Sequence, residues 1–247
     1  MRIDPETSRC LERLHVRAWP ALETERIDGW LWRASGGGSQ RANSVSTVDF
    51  TGNGMEAALD RVEACYRARR APVLLHTFDL TRPAGLPALL IERGHGAGET
   101  TLTMIATAQS AAPPPDVEIA ANPGREWLEV YLGAISESRR AVNQRILWRI
   151  PDPRAFVSVR RGGRVISTAL GVVHGAHAVA ECVATRADAR GQHGADSAMR
   201  ALMAWAVSLG AHTVGLQVVE DNAPALRLYH RLGFTMAGAN RFWMKNF

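Results

Sequence analysis

The chain has 247 residues, of which 46% are apolar and 21% charged, a balance typical of proteins that bury a core. No apolar run approaches the roughly 20 residues that span a bilayer, and the N-terminal residues lack the apolar segment of a secretory signal. The three cysteines are widely separated and form no Cys-x-x-Cys pair, which argues against a disulfide framework and a structural zinc site. These features predict a cytoplasmic protein with no membrane partner and no bound metal.

The formal net charge of +5 is by itself compatible with nucleic-acid binding. However, Lys245 is the only lysine, and the arginines are scattered along the chain rather than gathered in a stripe. We therefore expect no specific nucleic-acid partner, and a nucleic-acid-associated protein is an alternative that rests on charge alone.

The first half of the chain has strand-like and helical apolar patterns in alternation. Strand-like segments on both sides of the three glycines 36–38 predict a hairpin that turns at those glycines. The predicted elements in chain order are strands 28–34 and 41–50, helix 55–69, strand 72–78, helix 86–93 and strand 100–106.

A run of three prolines, Pro113 to Pro115, then interrupts both kinds of pattern. Because consecutive prolines join neither helices nor sheets and favour an extended spacer, we predict a boundary here. The expected organisation is an N-terminal domain (1–110), a proline-rich linker (111–117) and a C-terminal domain (118–247).

The second half begins with a helical pattern and continues with strands and helices in the order β-β-β-α-β-α-β. This order predicts an α/β domain with a mixed sheet flanked by helices. Gly233 stands where a helix commonly ends in a left-handed residue. The predicted elements are helix 126–138, strands 156–159, 165–173 and 178–184, helix 195–209, strand 213–219, helix 223–232, and a strand or hairpin over 234–247.

The two halves share this order of elements. A shift of 139 residues places Gly52 on Gly191, Tyr66 on Trp205 and Gly94 on Gly233 without a gap. The sequence thus predicts two related units in tandem, each with a central mixed β-sheet flanked by helices.

The segment from Cys182 to Asp196 runs from a predicted strand through a glycine-containing loop into a helix. The start of a helix carries unsatisfied backbone N–H groups and a partial positive charge, which suit a phosphate group. The small residues Gly191, Gly194 and Ala195 would let the backbone close around an anion. A tight strand-to-helix turn without a ligand is the alternative for such a loop alone.

Two motifs in this half together carry a family resemblance. The pairs Arg190-Gly191 and Gly194-Ala195 form a loop motif, and a second motif follows about 30 residues later, after one helix and one strand. Over residues 125–247 the chain resembles the GNAT (Gcn5-related N-acetyltransferase) superfamily, and the repeat makes the first half similar to a second, degenerate GNAT unit, as in tandem members. The second motif comprises Asn222, Ala225, Leu228, Tyr229, Leu232, Gly233 and Phe234.

The resemblance implies an acyl-CoA cosubstrate, with acetyl-CoA the expected one. Backbone amides near a strand bulge would bind the thioester and pantetheine, the glycine loop would bind the diphosphate, and Asn222 would contact the cosubstrate or cap the following helix. His193 departs from the family pattern, which has a glycine there. The implied cosubstrate-binding residues are Val183, Ala184, Thr185, Arg190, Gly191, Gln192, His193, Gly194, Ala195 and Asn222.

Two catalytic residues follow from the same resemblance. Tyr229 is the expected general acid for the leaving thiolate, with a core-packing tyrosine as the alternative. Glu181 is the expected general base, acting through water, because burial among small and apolar neighbours would raise the pKa of its carboxyl group; a solvent-facing strand residue is the alternative.

The first half lacks these groups, since the 139-residue shift places Ala42, Pro83 and Leu90 on the positions of Glu181, Asn222 and Tyr229. It is therefore not expected to form a second active site.

Two further features of the second half contain residues that could bind a metal or act as a nucleophile, but neither has the partner residues that such a site needs. His174 and His177 lie across a predicted turn without a third metal ligand, and Cys182 has no partner pattern for a nucleophile.

The sequence therefore predicts an N-acyltransferase that moves an acetyl group to a primary amine of a small molecule or peptide by direct attack. A catalytically inactive acyl-CoA-binding or regulatory protein is the alternative. The chain is expected to be a monomer or a homodimer, and the acceptor is not readable from the sequence.

Overall fold

The computed structural model describes residues 3–110 and 115–247. In these ranges the chain forms seven α-helices and eleven strands, and no helix is long and apolar enough to span a membrane. The helices are α1 (Pro5–Ala18), α2 (Met55–Ala68), α3 (Leu86–Glu92), α4 (Arg125–Gly133), α5 (Glu137–Leu147), α6 (Gly194–Ser208) and α7 (Ala223–Arg231).

All eleven strands join one mixed sheet, in the order β1-β2-β3-β4-β11-β5-β10-β9-β8-β7-β6. The pairs β3–β4 and β9–β10 are parallel, and the other neighbours are antiparallel. The predicted α/β class with a mixed sheet is therefore confirmed. The strands are β1 (Glu23–Ile27), β2 (Trp30–Ala34), β3 (Val45–Ser46), β4 (Val73–Phe78), β5 (Gly96–Thr107), β6 (Val117–Ala120), β7 (Arg154–Arg161), β8 (Arg164–His174), β9 (His177–Thr185), β10 (Thr213–Val219) and β11 (Thr235–Lys245).

The last strand, β11, lies between two strands of the first half. It pairs with β4 on one side and with β5 on the other, while β5 also pairs with β10 of the second half. The sheet is therefore continuous across the two halves. The domain boundaries at 110 and 118 stay a prediction, and residues 111–114 of the predicted linker lie outside the described residues.

In each half, one pair of neighbouring strands is parallel, and a single helix connects the first strand of the pair to the second. The β3–α2–β4 unit corresponds to β9–α6–β10, which supports the tandem organisation predicted from the 139-residue shift.

Helices α2 and α6 occupy equivalent positions in the two cores. The aromatic side chains of Trp30, Trp32 and Tyr66 are buried with α2, and Leu202 and Met203 of α6 are buried against the second half of the sheet. Helix α1 instead contacts β9 and β8, so that a segment from the N-terminus of the chain lies beside the second half of the sheet.

The strands on the two sides of Gly36–Gly38, β2 and β3, pair antiparallel as predicted, with Leu31 opposite Ser46, but β3 is only two residues long and a long connection joins the two strands. A tight hairpin that was not predicted precedes them: the chain turns at Asp28 and Gly29, both with positive φ, and joins β1 to β2. An Asp-Gly pair readily adopts the left-handed conformations that a two-residue hairpin needs. The three glycines lead into a short 3₁₀ turn, Gln40–Asn43.

Other differences concern the ends of elements. The helix predicted over 126–138 ends at Gly133, and a separate helix, α5, follows after Ser136. The C-terminal segment forms a single strand, the first of the two predicted alternatives, and α1, β1 and β6 were not predicted. The predicted strand 213–219 is confirmed residue for residue.

Candidate active site

The candidate site lies where the parallel strands β9 and β10 separate. Their pairing runs from His177 opposite Thr213 to Ala180 opposite Leu216 and then stops. Just beyond, Cys182 has a left-handed backbone (φ 52°), and the register between β8 and β9 shifts. This bulge turns β9 away from β10 and leaves the edge of β9 facing a cleft.

The loop after β9 leads into the N-terminus of α6. Gly191 and His193 have φ values of 79° and 56°, and α6 begins at Gly194 without a side-chain cap. The first N–H groups of the helix therefore lack intrahelical partners and point towards the loop. This geometry fits a bound diphosphate.

Position 194 requires glycine because Ser167 of β8 lies very close to it. A Cβ atom at this position would overlap the Ser167 hydroxyl, which is held by a 2.6 Å hydrogen bond with Thr185 Oγ1. The absence of a side chain lets the start of α6 lie against the sheet and keeps its amides beside the cleft.

The loop and the cleft together enclose a cavity of about 530 Å³, here called the loop cavity. It brings together Tyr229 and every predicted cosubstrate-binding residue except Gln192, which is exposed and lies outside the lining. The predicted residues in the lining are Val183, Ala184, Thr185, Arg190, Gly191, His193, Gly194, Ala195 and Asn222.

A second cavity of about 340 Å³, here called the inner cavity, lies deeper in the cleft. It shares Val183, Asn222, Ala225 and Tyr229 with the loop cavity. The two spaces therefore meet at Tyr229. The inner cavity is also lined by Trp19, Arg41, Tyr131, Arg139, Glu181, Cys182 and Gln217.

Tyr229 lies on α7, and its ring packs against Phe234 with centroids 5.8 Å apart. The residue is 7% exposed, and its side chain lines both cavities. Burial, and secondarily the charge of Glu181, raise the pKa of Tyr229 to about 12. The phenol is therefore protonated at neutral pH and free to donate.

Asn222 caps α7, which is one of the two functions that the sequence left open, and the predicted contact with the cosubstrate stays a prediction. Its side-chain oxygen accepts a hydrogen bond from Ala225 N at 3.3 Å and so caps α7. The same residue lines both cavities.

Glu181 is buried, and its carboxylate is held by two side chains. Arg41 donates from Nη1 to Oε1 at 2.7 Å and from Nη2 to Oε2 at 2.6 Å, and His15 Nδ1 lies 3.0 Å from Oε1. Burial alone would raise the pKa of Glu181, but the charge and hydrogen bonds of Arg41, with those of His15, lower it to about 2. The expected rise in pKa is therefore wrong, because the burial that raises it also brings a cation into contact.

Arg41 and His15 come from distant parts of the chain and were not predicted to contact Glu181. Arg41 lies in the 3₁₀ turn of the first half, 140 residues from Glu181, and its guanidinium is 5.7 Å from the centroid of Trp19. His15 lies on α1, 166 residues away. No sequence spacing relates these residues to Glu181, so their contacts with it could not be predicted. Through Arg41 the first half of the chain contributes to the wall of the inner cavity.

A buried polar chain continues from this cluster into the sheet. Gln217 lies 3.5 Å from Arg41 and donates to Glu12 at 3.1 Å, and Thr103 donates to the other oxygen of Glu12 at 2.7 Å. Burial raises the pKa of Glu12. These contacts fix the orientation of Arg41 and thereby the polar wall of the inner cavity.

The histidine pair of the sequence analysis shows ordinary contacts. His177 Nδ1 lies 2.7 Å from the hydroxyl of Thr213. Within residues 3–110 and 115–247, no three His, Cys, Asp or Glu residues form a group that could hold a metal ion.

Comparison with known proteins agrees with this geometry. A family profile described as "Probable histone acetyltransferase Rv0428c C-terminal" matches residues 7–243. The "Uncharacterized N-acetyltransferase YobR" of Bacillus subtilis is 27% identical over 251 residues, which cover 96% of this chain and 98% of that protein.

Two solved structures share the fold. A GCN5-related N-acetyltransferase from Kribbella flavida superposes with a TM-score of 0.72 at 16% identity, covering 99% of this chain and 96% of that one. A tandem GNAT protein from the clavulanic acid biosynthesis pathway superposes with a TM-score of 0.61 at 11% identity, covering 82% and 74%. The profile match over most of the chain, on a fold with splayed strands and a glycine loop, shows that this chain belongs to the Rv0428c C-terminal acetyltransferase family of the GNAT superfamily.

Proposed function

We propose that this acetyltransferase moves an acetyl group from acetyl-CoA to a primary amine by direct attack, with Tyr229 as general acid. The observation that carries the proposal is the meeting of two cavities at the Tyr229 side chain. One cavity ends at a helix N-terminus suited to a diphosphate, and the other is a small polar pocket suited to an acceptor.

The loop cavity would hold acetyl-CoA. Its diphosphate would accept hydrogen bonds from the amides at the start of α6, with Arg190 alongside, and the splayed edge of β9 at Val183–Thr185 would bind the pantetheine chain. Acetyl-CoA supplies a thioester, whose acyl carbon the amine attacks. The residues of this chain then orient the two substrates and supply one proton to the departing sulfur, while the attacking nitrogen, which becomes positively charged, releases one proton to solvent water.

Tyr229 would supply that proton. As the C–N bond forms and the C–S bond breaks, the sulfur gains negative charge and the phenol donates to it. A phenol with a pKa of about 12 gives its proton to a thiolate of pKa about 8.5 at a cost of about 5 kcal/mol. The proton transfer must therefore accompany C–S cleavage rather than precede it.

The base for the amine proton is the weaker part of the sequence prediction. A carboxylate with a pKa near 2 is a poor proton acceptor, and among the described residues its side-chain hydrogen bonds are to Arg41 and His15. We therefore propose that Glu181 holds Arg41 in the wall of the inner cavity. The role of general base for Glu181 stays a prediction, which a pH profile decides: a base of raised pKa gives an inflection in kcat/KM that Glu181→Gln removes, whereas a positioning residue gives none.

The inner cavity would receive the acceptor amine. Its wall contains the Arg41–Glu181 pair, Gln217 and Arg139 beside the aromatic Trp19. A small molecule or the end of a peptide fits a space of about 340 Å³. The amine must arrive uncharged in order to attack.

The test is calorimetric titration with acetyl-CoA, combined with turnover on a panel of primary amines. Tyr229→Phe should bind acetyl-CoA normally and lose about 10²–10⁴-fold in kcat, the range typical of a lost general acid. Tyr66→Phe is the matched control, since Tyr66 lies in the core of the first half. Failure of the wild type to bind acetyl-CoA contradicts the proposal, and binding without turnover on any amine would favour the inactive acyl-CoA-binding protein instead.

A further inference from the structure

A groove formed mainly by the first half of the chain, with Arg149 and Pro151 from the second half, is lined by five arginines: Arg13, Arg17, Arg26, Arg33 and Arg149. We call it the arginine groove. It has a volume of about 440 Å³ and shares no described lining residue with the loop cavity or the inner cavity. It is therefore a separate concave site.

The groove follows from the way β2 and α1 pack. Successive side chains of a strand point to opposite faces, and Trp30 and Trp32 of β2 are buried in the core with α2. Leu31 and Arg33 therefore point to the opposite face, where they line the groove. Helix α1 contacts β9 and β8, and its residues Arg13, Val16 and Arg17 line the groove.

The charges in the groove are strongly unbalanced. Asp49 is the one acidic residue in the lining, and it already pairs with Arg13 at 2.6 Å. Among the described residues, the other four arginines form no ion pair. Arg149 donates to the carbonyl of Leu22 at 2.6 Å, and Arg26 donates to that of Gly29 at 3.2 Å.

Arg33 is the most unusual of these residues, because it is 2% exposed and has only neutral partners. Its Nε donates to the carbonyl of Ser44 at 2.9 Å, and Nη2 donates to the Ser44 hydroxyl at 3.1 Å. Burial, and next the positive charge of Arg41, lower the pKa of Arg33 to about 10. Among the described residues no carboxylate forms an ion pair with Arg33, and Glu12 acts on its pKa through charge alone. A buried guanidinium without a contacting counter-charge destabilises a fold, and a bound anion would reduce that penalty.

The lining between the arginines is apolar. Val16 of α1, Leu31 of β2, Val48 and Pro151 all line the groove. A bare inorganic anion would leave this surface exposed to water, whereas an anion with an apolar body would cover it. Guanidinium groups bind carboxylates with two parallel hydrogen bonds.

We propose that the arginine groove binds a small organic carboxylate with an apolar body, with Arg33 at its floor as the principal partner of the carboxylate. The site is independent of the acetyl-transfer site. The groove volume lies within the range of about 300–1,000 Å³ usual for small-molecule pockets.

The test uses octanoate as the probe, titrated calorimetrically into the full-length protein in the presence of saturating acetyl-CoA, which keeps octanoate out of the loop cavity. Wild-type protein should bind octanoate, and octan-1-ol and inorganic phosphate should each bind at least tenfold more weakly. Arg33→Met should weaken octanoate binding at least tenfold. Raising the salt concentration should also weaken it.

Two further variants distinguish a loss of the octanoate site from a loss of the folded structure. Arg17→Gln changes an exposed residue of the groove and should weaken octanoate binding several-fold in a folded protein. Arg125→Gln removes the same charge from a side chain that is 91% exposed and outside the groove, and should leave binding unchanged. Each of three outcomes would overturn the proposal: the wild type does not bind octanoate, it binds phosphate as tightly as octanoate, or both groove variants bind octanoate as tightly as the wild type.

Discussion

The ion pair between Arg41 and Glu181 joins the two halves of the chain, and breaking it from either side should destabilise the protein. Glu181 is 6% exposed in its side chain and Arg41 is 23% exposed. Arg41→Met would leave a buried carboxylate with His15 as its remaining close partner. Glu181→Gln would leave a cation that can reach solvent more easily.

The size of the effect follows from the pKa of Glu181. Its fall from 4.5 to about 2 corresponds to about 3 kcal/mol at about 1.36 kcal/mol per pKa unit. Removing one partner of a buried ion pair usually costs about 3–5 kcal/mol. We therefore expect Arg41→Met to lower the free energy of unfolding by about 3 kcal/mol at pH 7, and Glu181→Gln to lower it by somewhat less.

The double variant decides whether the pair itself is responsible. With both charges removed no uncompensated ion remains, so the loss in Arg41→Met/Glu181→Gln should be smaller than the sum of the two single losses by at least about 1 kcal/mol. Urea unfolding, followed by tryptophan fluorescence and circular dichroism at pH 7, measures all four proteins. Additive losses would refute the inferred coupling.

The Arg41–Glu181 pair also predicts the direction in which the stability of the protein changes with pH. Because the folded pKa of Glu181 lies below its unfolded value, its contribution is complete above about pH 4.5 and is lost as the pH falls towards 2. The stability difference between wild type and Glu181→Gln should therefore be constant from pH 6 to 8 and shrink below pH 4.5. A difference that shrinks as the pH rises from 6 to 8 would contradict the low pKa.

Three further predictions concern backbone positions. Gly194→Ala should weaken acetyl-CoA binding more than tenfold while the protein stays folded, because its Cβ would push the start of α6 away from Ser167. His193→Gly should change acetyl-CoA affinity by less than about 1 kcal/mol, since the side chain is exposed, and it should relieve left-handed strain at φ 56°. Gly171→Ala should destabilise the fold by about 1–3 kcal/mol, because its Cβ would lie 2.8 Å from the Trp205 ring. Calorimetry checks the first two and urea unfolding the third.

Controls for these substitutions exist in the same chain. A Cβ at Gly124 or at Gly133 would meet no described atom within 4 Å, so Gly124→Ala and Gly133→Ala should leave binding and stability nearly unchanged. An acetyl-CoA affinity of His193→Gly that is more than tenfold tighter would show that the imidazole crowds the loop cavity. Wild-type affinity in Gly194→Ala would mean that the start of α6 does not bind the cosubstrate.

Two elements of the first half were within reach of sequence reasoning but were not predicted correctly. Asp28-Gly29 is a strong hairpin signal that the neighbouring glycine run obscured. Helix α1 begins with Asp4 as N-cap, which accepts from Glu6 N and Thr7 N, and has proline at its first position. Both are local signals, so a closer reading of the residues would have found them.

The loop cavity was predictable from the sequence because most of its residues are neighbours along the chain. The strand, glycine loop and helix start from Val183 to Ala195 form one contiguous segment, and Asn222 and Tyr229 follow on the next helix. Helix-end chemistry alone indicates an anion site at the glycine loop, and the resemblance of the two motifs to the GNAT superfamily adds the strand residues, Asn222 and Tyr229. Cytoplasmic location and oligomeric state stay predictions from composition and from the tandem organisation.

By itself, then, the sequence determined the class of fold, most of the elements in the second half, and the segment that lines the loop cavity. Only the tertiary structure decided that β11 pairs between β4 and β5, that Arg41 and His15 lower the pKa of Glu181, and that Arg33 is buried with hydrogen bonds to the carbonyl and hydroxyl of Ser44. The physical reason is that helix and strand patterns depend on neighbours a few residues apart. The charge state of a buried group depends instead on whichever residues the fold brings against it, and here those lie 140 and 166 residues away.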